Sequence, residues 1–205
     1  LYCSSVLAQH PDDYRWDDRF SLAGIFSPGL GGSNSDVFSI TSTPDYVVVG
    51  GNFTVPGIHI ALWNLNTNSW EKAGKGVWKA STQFYYPFVR GVFADGDSVF
   101  VWGNFSSVDD TIPASNFAIL NPRTKVWTAD TMLKGEIGSI TRFGNDIIIN
   151  GSFSITGTKI QNIARWNARK WSEFSTDTTA ITGSMVEFKG TLYSTVRYVH
   201  QNNFV

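Results

Sequence analysis

A short pattern that recurs along the chain constrains the fold more than any other feature. Residues 46–54 read YVVVGGNFT, and related strings occupy residues 99–106 (VFVWGNFS) and 147–154 (IIINGSFS). A fourth copy at 192–198 (LYSTVRY) keeps the β pattern and lacks the glycine. Such units cannot bury their apolar surface alone, so they stack on one another. The sequence therefore predicts a repeat protein.

Each copy is the second strand of a predicted four-stranded unit. An apolar run and a turn rich in Gly, Asn or Asp precede it, as in a β-hairpin. The runs that precede the turns are 37–43, 88–94, 137–143 and 183–188. Third strands follow at 59–65, 116–122 and 162–168. Fourth strands then open at Trp70, Trp127 and Trp171. Four antiparallel strands per unit are typical of a β-propeller blade.

The fourth-strand tryptophans set the length of the unit. Trp70 and Trp127 are 57 residues apart, and Trp127 and Trp171 are 44 apart. An earlier unit ends near Trp16, and residues 172–205 supply only part of a further one. We therefore expect an all-β propeller of about three four-stranded blades plus part of a fourth.

The number of blades leaves two alternatives open, because closed propellers have at least four. Residues 9–205 form part of a longer propeller with further blades downstream, or residues 14–20 donate the missing outer strands and close a small ring. The near-continuous apolar runs 46–49 and 147–149 predict strands buried between neighbouring sheets. The glycines that follow them predict places where the backbone bends or approaches closely.

Composition excludes several classes of function. Sixteen basic and 17 acidic residues give a net charge of −1, which disfavours nucleic acid as a partner. No apolar stretch is long enough for a membrane-spanning helix, so we expect no membrane insertion. Cys3 is the only cysteine, and His10, His59 and His200 lack metal-ligand spacing. We therefore expect no metal, no cofactor and no catalytic residue in this segment.

The first eight residues predict the remnant of a secretory signal peptide. Val6 and Ala8 occupy the small-residue positions of a cleavage site, and a polar segment follows them. A disordered N-terminus that happens to contain small residues is the alternative. The first interpretation predicts a secreted or cell-surface protein.

Several motifs resemble a known family. Residues 47–51 (VVVGG), 63–70 (WNLNTNSW) and 120–127 (LNPRTKVW) resemble kelch-type blades. The combination of GGNFT, NIARWN and a following tryptophan is similar to the secreted kelch and galactose-oxidase-like propellers of bacterial surface proteins and of the fungal cortical-marker family. The resemblance covers residues 14–198 and implies the fold. It implies no catalytic residue, because the copper site of those oxidases requires a cysteine-crosslinked tyrosine.

The candidate binding site is an aromatic insertion at residues 77–88. Loops that join two blades and loops that join second to third strands emerge on the same face of a propeller, so this insertion is predicted to lie near residues 106–115 and 155–161. Aromatic rings there stack on sugar rings or peptide side chains; inward packing of the rings is the alternative. The candidate residues are Trp78, Tyr85, Tyr86, Asp109, Asp110 and Lys159.

The functional hypothesis is a non-enzymatic extracellular module for binding or scaffolding, with a protein or glycan ligand, within a larger secreted or surface protein. The alternative is a carbohydrate-active hydrolase or lyase that uses Asp109 and Asp110. Adjacent acids on a strand point to opposite faces, which disfavours an acid–base pair unless a loop reorients them.

Overall fold

The structure is a computed structural model that describes residue 25 and residues 35–79, 86–174 and 181–197. The predicted signal remnant at 1–8 and the unit predicted to end near Trp16 lie outside these residues. Strands and turns account for the described fold. Within the described ranges, no helix is long and apolar enough to span a bilayer.

The strands form three antiparallel sheets of four and the first hairpin of another, as the repeat predicts. Blade 1 consists of β1 (Asp36–Ser42), β2 (Tyr46–Asn52), β3 (Ile60–Asn64) and β4 (Ser69–Lys72), and β5 (Val77–Trp78) follows it. Blade 2 begins with β6 (Phe88–Asp95) and β7 (Ser98–Asn104), is interrupted by β8 (Ser107–Val108) and β9 (Ile112–Pro113), and ends with β10 (Phe117–Asn121) and β11 (Val126–Ala129). Blade 3 consists of β12 (Leu133–Phe143), β13 (Asp146–Ile155), β14 (Gln161–Asn167) and β15 (Lys170–Glu173). Blade 4 is the hairpin of β16 (Ile181–Phe188) and β17 (Thr191–Arg197).

The first strands of successive blades lie side by side. Strand β1 contacts β6, β6 contacts β12, and β12 contacts β16. These strands therefore form the inner layer of the array, and the fourth strands form its outer layer. The all-β propeller of four-stranded blades is confirmed in this arrangement.

The fourth-strand tryptophans occupy equivalent positions in the three complete blades. Trp70 pairs with Trp63, Trp127 with Leu120, and Trp171 with Trp166, each on the third strand of its own blade. Two of the indoles also reach the preceding blade. Trp127 Nε1 donates a hydrogen bond to the carbonyl of Ala73 at 3.1 Å. Trp171 Nε1 donates to the Asp130 carboxylate at 3.0 Å. The repeated tryptophan thus joins adjacent blades.

The repeated glycine lies opposite a β-bulge. In each complete blade the first strand carries one extra residue, which falls between residues 37 and 39, 89 and 91, or 137 and 139. A Cβ on Gly103 would lie less than 3.0 Å from the carbonyl oxygen of Phe88. Gly51 and Gly151 face the equivalent carbonyls of their own blades equally closely. A bulge of this kind therefore requires glycine on the facing strand.

Apolar side chains fill the space between the blades. Val48 and Leu62 of blade 1 pack with Val89, Val101 and Leu120 of blade 2. Between blades 2 and 3, fully buried Phe117 contacts the Trp166 ring at 5.6 Å and the Trp171 ring at 5.7 Å between centroids. Each pair of sheets therefore buries the faces that neither sheet covers alone.

Hydroxyl and amide groups of the first and second strands connect neighbouring blades. The backbone N–H of Val92 donates to Ser39 Oγ at 3.1 Å, and the N–H of Ala94 donates to Thr41 Oγ1 at 3.1 Å. Fully buried Asn150 donates through Nδ2 to the carbonyl of Gly183 at 2.8 Å. These bonds satisfy polar groups that the blade interfaces would otherwise bury without partners.

We predict that Gly103→Ala destabilises the domain by at least about 2 kcal/mol, because the new methyl group forces the bulge and the second strand apart. Gly96→Ala is the matched control. Gly96 lies in the β6–β7 turn at φ +57° with no atom within 4 Å of an added Cβ. Its only cost is the left-handed backbone, about 1 kcal/mol. Urea unfolding measures the free energy of unfolding of both variants. Equal losses for the two variants would contradict the role of the bulge.

Candidate functional site

The aromatic insertion pairs with the loop that joins the second and third strands of blade 2. Strand β5 pairs with β8, with Val77 opposite Val108 and Trp78 opposite Ser107. The N–H of Ser106 donates to the Trp78 carbonyl at 2.8 Å, and the N–H of Asp109 donates to the Gly76 carbonyl at 2.9 Å. The predicted proximity of this insertion to residues 106–115 is confirmed. Tyr85 lies outside the described residues.

Two aromatic residues of the insertion, Trp78 and Tyr86, are exposed to solvent. Trp78 is 38% exposed, and its Nε1 donates to the Lys75 carbonyl at 3.0 Å, which fixes the orientation of the ring. Tyr86 is 72% exposed, and its carbonyl accepts a hydrogen bond from Asn104 Nδ2 at 2.8 Å. Inward packing is therefore wrong for Tyr86 and describes only part of the Trp78 ring.

Asp109 and Asp110 hold the β4–β5 link through Lys75. Asp109 Oδ1 accepts from the backbone N–H of Lys75 at 2.8 Å, and Asp110 Oδ2 lies 3.0 Å from Lys75 Nζ. That hydrogen bond to Asp110 raises the pKa of Lys75. Both acids have positive φ angles, 49° and 74°, so the loop makes a tight turn here. No group of three or more potential metal ligands occurs among the described residues.

Lys159 belongs to the next blade and is anchored elsewhere. Its loop follows β13, and Thr156 donates through both N and Oγ1 to the carbonyl of Met132, each at 2.9 Å. Among the described residues, no hydrogen bond or ion pair joins Lys159 to Trp78, Tyr86 or the two acids. The contacts of the described residues therefore join the blade 2 loop to the link that leads into that blade, and they do not include Lys159.

A groove that was not predicted from the sequence lies beside the inner strands. Phe38, Asn52, Phe88 and Arg90 line a cleft of about 410 Å³. The Phe38 and Phe88 rings meet edge to face with centroids 5.9 Å apart, and the Arg90 guanidinium lies 5.8 Å from the Phe88 centroid. Arg90 makes no ion pair with a described residue, so its charge is available to a ligand.

The bulges place two of these groove residues. Phe38 and Arg90 are the extra residues of the bulges in β1 and β6. Phe88 opens β6 only two residues after Tyr86, and it pairs with Asn104, the residue whose amide holds Tyr86. Phe88 is therefore shared by the groove and by the end of the aromatic insertion. The sequence feature that could have indicated the groove is the alignment of the repeats, which places residues 38 and 90 at the same position.

His59 is a buried structural residue. It precedes the third strand of blade 1 with φ 64°, where blades 2 and 3 have Asn116 at 62° and Asn162 at 59°. Its Nδ1 has no hydrogen-bond partner in the structure, and burial lowers the pKa of His59 to about 4. The imidazole is therefore neutral at pH 7. His10 and His200 lie outside the described residues.

Comparison with known proteins agrees with the blade architecture. Residues 19–183 match the family described as the Rax2 C-terminal beta propeller domain. The chain belongs to this Rax2 family. No curated protein matches the sequence. Among solved structures, the Rax2-type domain is similar to the one titled "Crystal structure of the computationally designed Ika4 protein", with 10% identity, a TM-score of 0.47, and coverage of 83% of this chain and 96% of that chain.

We predict that His59→Asn reduces the loss of stability on acidification. The unfolded chain binds a proton at His59 near pH 6.5 and the folded chain only near pH 4. Protons therefore favour the unfolded state, and stability falls as the pH drops through this window, by up to about 3 kcal/mol. Asparagine does not titrate and suits the positive φ.

Urea unfolding of both proteins at several pH values between 4 and 7 measures this difference. The carboxylates titrate in both proteins, so the difference between the two curves isolates His59. If the free energy of unfolding changed with pH in the same way in the variant and the wild type, a buried neutral histidine would be ruled out.

Proposed function

We propose that this propeller is a non-enzymatic module that binds a protein or glycan ligand, or acts as a scaffold, within a larger secreted or cell-surface protein. The observation that carries the proposal is the exposure of Trp78 and Tyr86, together with a groove whose lining residue Phe88 lies two residues after Tyr86. The extracellular setting is supported by the pattern of residues 1–8 and by the kelch-like motifs.

The surface combines the two kinds of group that ligand sites use. The aromatic faces of Trp78, Tyr86 and Phe88 provide apolar area for stacking. The amide of Asn52 and the guanidinium of Arg90 provide polar groups that fix the orientation of a ligand. Because the Trp78 ring is already held by Lys75, binding would order little more of the protein.

A hydrolase or lyase that depends on Asp109 and Asp110 has less support. Both carboxylates already bind Lys75, and a catalytic acid–base pair must be able to reach the substrate. The contacts of this pair therefore favour a structural role, in which the acids hold the link that carries Trp78.

We predict that replacing both Trp78 and Tyr86 by alanine weakens ligand capture by about tenfold or more, because stacking residues carry most of the binding energy at such surfaces. Glycan and peptide arrays probed with the purified protein measure capture and distinguish the two ligand classes. Val126→Ala is the control, since Val126 is 59% exposed on the outer strand β11.

Unchanged capture by the double variant would reject this surface. Turnover of a polysaccharide that disappears with Asp109→Asn would reject the non-enzymatic assignment and favour the hydrolase or lyase.

A further inference from the structure

Three asparagines of the chain stand in the pattern Asn-x-Ser/Thr, at which exported proteins accept an N-linked glycan. They are Asn52 (NFT), Asn104 (NFS) and Asn150 (NGS). All three lie in the second strands of their blades. The pattern alone does not distinguish them, whereas the contacts of their side chains do.

Two of the three asparagines already serve the fold. Asn150 is fully buried, and its Nδ2 donates to the Gly183 carbonyl at 2.8 Å. Asn104 donates through Nδ2 to the Tyr86 carbonyl at 2.8 Å, and its Oδ1 accepts a hydrogen bond from Lys79 Nζ. A glycan is bulky, so one attached to either Nδ2 would displace these contacts. The folded blades therefore disfavour both positions.

Asn52 differs on each of these points. It ends β2 and is half-buried, and its amide makes no hydrogen bond with a described residue. Thr54, whose hydroxyl completes the pattern, is exposed. Asn52 also lines the groove of about 410 Å³, together with Phe38 and Phe88. A sugar attached to Asn52 therefore starts at the wall of an open cleft.

The groove contains suitable partners for a sugar ring. Phe38 is 50% exposed and lies beside the Phe88 ring, so the apolar face of a sugar can cover aromatic surface that now contacts water. The Arg90 guanidinium carries five N–H donors and makes no ion pair with a described residue. Hydroxyl and acetamido oxygens of the sugar can therefore accept hydrogen bonds from it.

We propose that Asn52 carries an N-linked glycan whose first N-acetylglucosamine lies in this groove. The inference rests on the extracellular setting of the proposed function. It also deepens that function, because the groove then holds a glycan of the chain itself, while Trp78 and Tyr86 remain for an external ligand.

The modification is a transfer from a lipid diphosphate-linked oligosaccharide. Nδ2 of Asn52 forms a bond to C1 of the sugar, and the bond from C1 to the diphosphate oxygen breaks. The lipid diphosphate leaves with the electron pair of that bond, and Nδ2 gives up one proton.

Export of the 205-residue chain from yeast behind a cleavable secretion signal tests the site. Peptide N-glycosidase converts a glycosylated asparagine to aspartate, which peptide mass spectrometry then identifies. We expect modification of Asn52 and none of Asn104 or Asn150. Asn52→Gln and Thr54→Ala are expected to abolish the glycan, whereas Thr54→Ser is expected to retain it. Chains that stay in the secretory membranes are analysed in the same way.

Urea unfolding tests the position of the sugar. It compares the exported chain with the same chain made in bacteria, which lacks the glycan, and we expect a higher midpoint for the exported chain. Phe38→Ala and Arg90→Ala are each expected to remove most of this difference, because each deletes contacts of the sugar. Val126→Ala, on an exposed site of β11, is the matched control and is expected to retain it. Arg90 is exposed, so its variant serves if Phe38→Ala does not fold.

Three results would overturn the inference. An unmodified Asn52 in the exported chain would exclude the site. Modification of Asn104 or Asn150 in the folded, exported chain would show that amide contacts do not select the position. A stabilisation that survives both groove variants would place the sugar outside the groove. Array capture by the bacterial chain tests Trp78 and Tyr86 separately, so the proposed function and this inference fail on different measurements.

Discussion

Burial of blade faces against one another is the interaction on which the rest of this structure depends. Each four-stranded sheet carries apolar side chains on both faces, and two sheets are needed to remove one face of each from water. Phe117 illustrates the arrangement, since it lies fully buried between its own sheet and two tryptophans of the next. The same requirement accounts for the tryptophan hydrogen bonds to the preceding blade and for the buried amide of Asn150.

The β-bulge links this architecture to the candidate site. It places a carbonyl against the second strand, which only glycine at Gly51, Gly103 and Gly151 accommodates. The extra residue of each bulge has no partner on the facing strand, so its side chain is free to differ between blades. In blades 1 and 2 these residues are Phe38 and Arg90, and they line the groove. One backbone irregularity thus accounts for the repeated glycine and for two residues that line the groove.

Strand β5 pairs with β8, and β8 with β9, in a small sheet that holds the backbone of Trp78. Pairing of Trp78 with Ser107 and the contacts of Lys75 with both acids hold the inter-blade link against the blade 2 loop. Asp109 and Asp110 therefore contact the link that carries the exposed Trp78 ring.

The residues by themselves determined the strands, the blade units and the equivalent tryptophans, because alternation, turn chemistry and the repeat are local properties of the chain. Tertiary structure alone decided which side chains meet. The binding of Asp109 and Asp110 to Lys75, the separate anchoring of the Lys159 loop, and the groove at Arg90 all depend on contacts between residues far apart in sequence. The burial of His59 could not be predicted from the sequence either. His59 stands where the equivalent residues of blades 2 and 3 are asparagines, and its pKa depends on how far its neighbours in the fold exclude water.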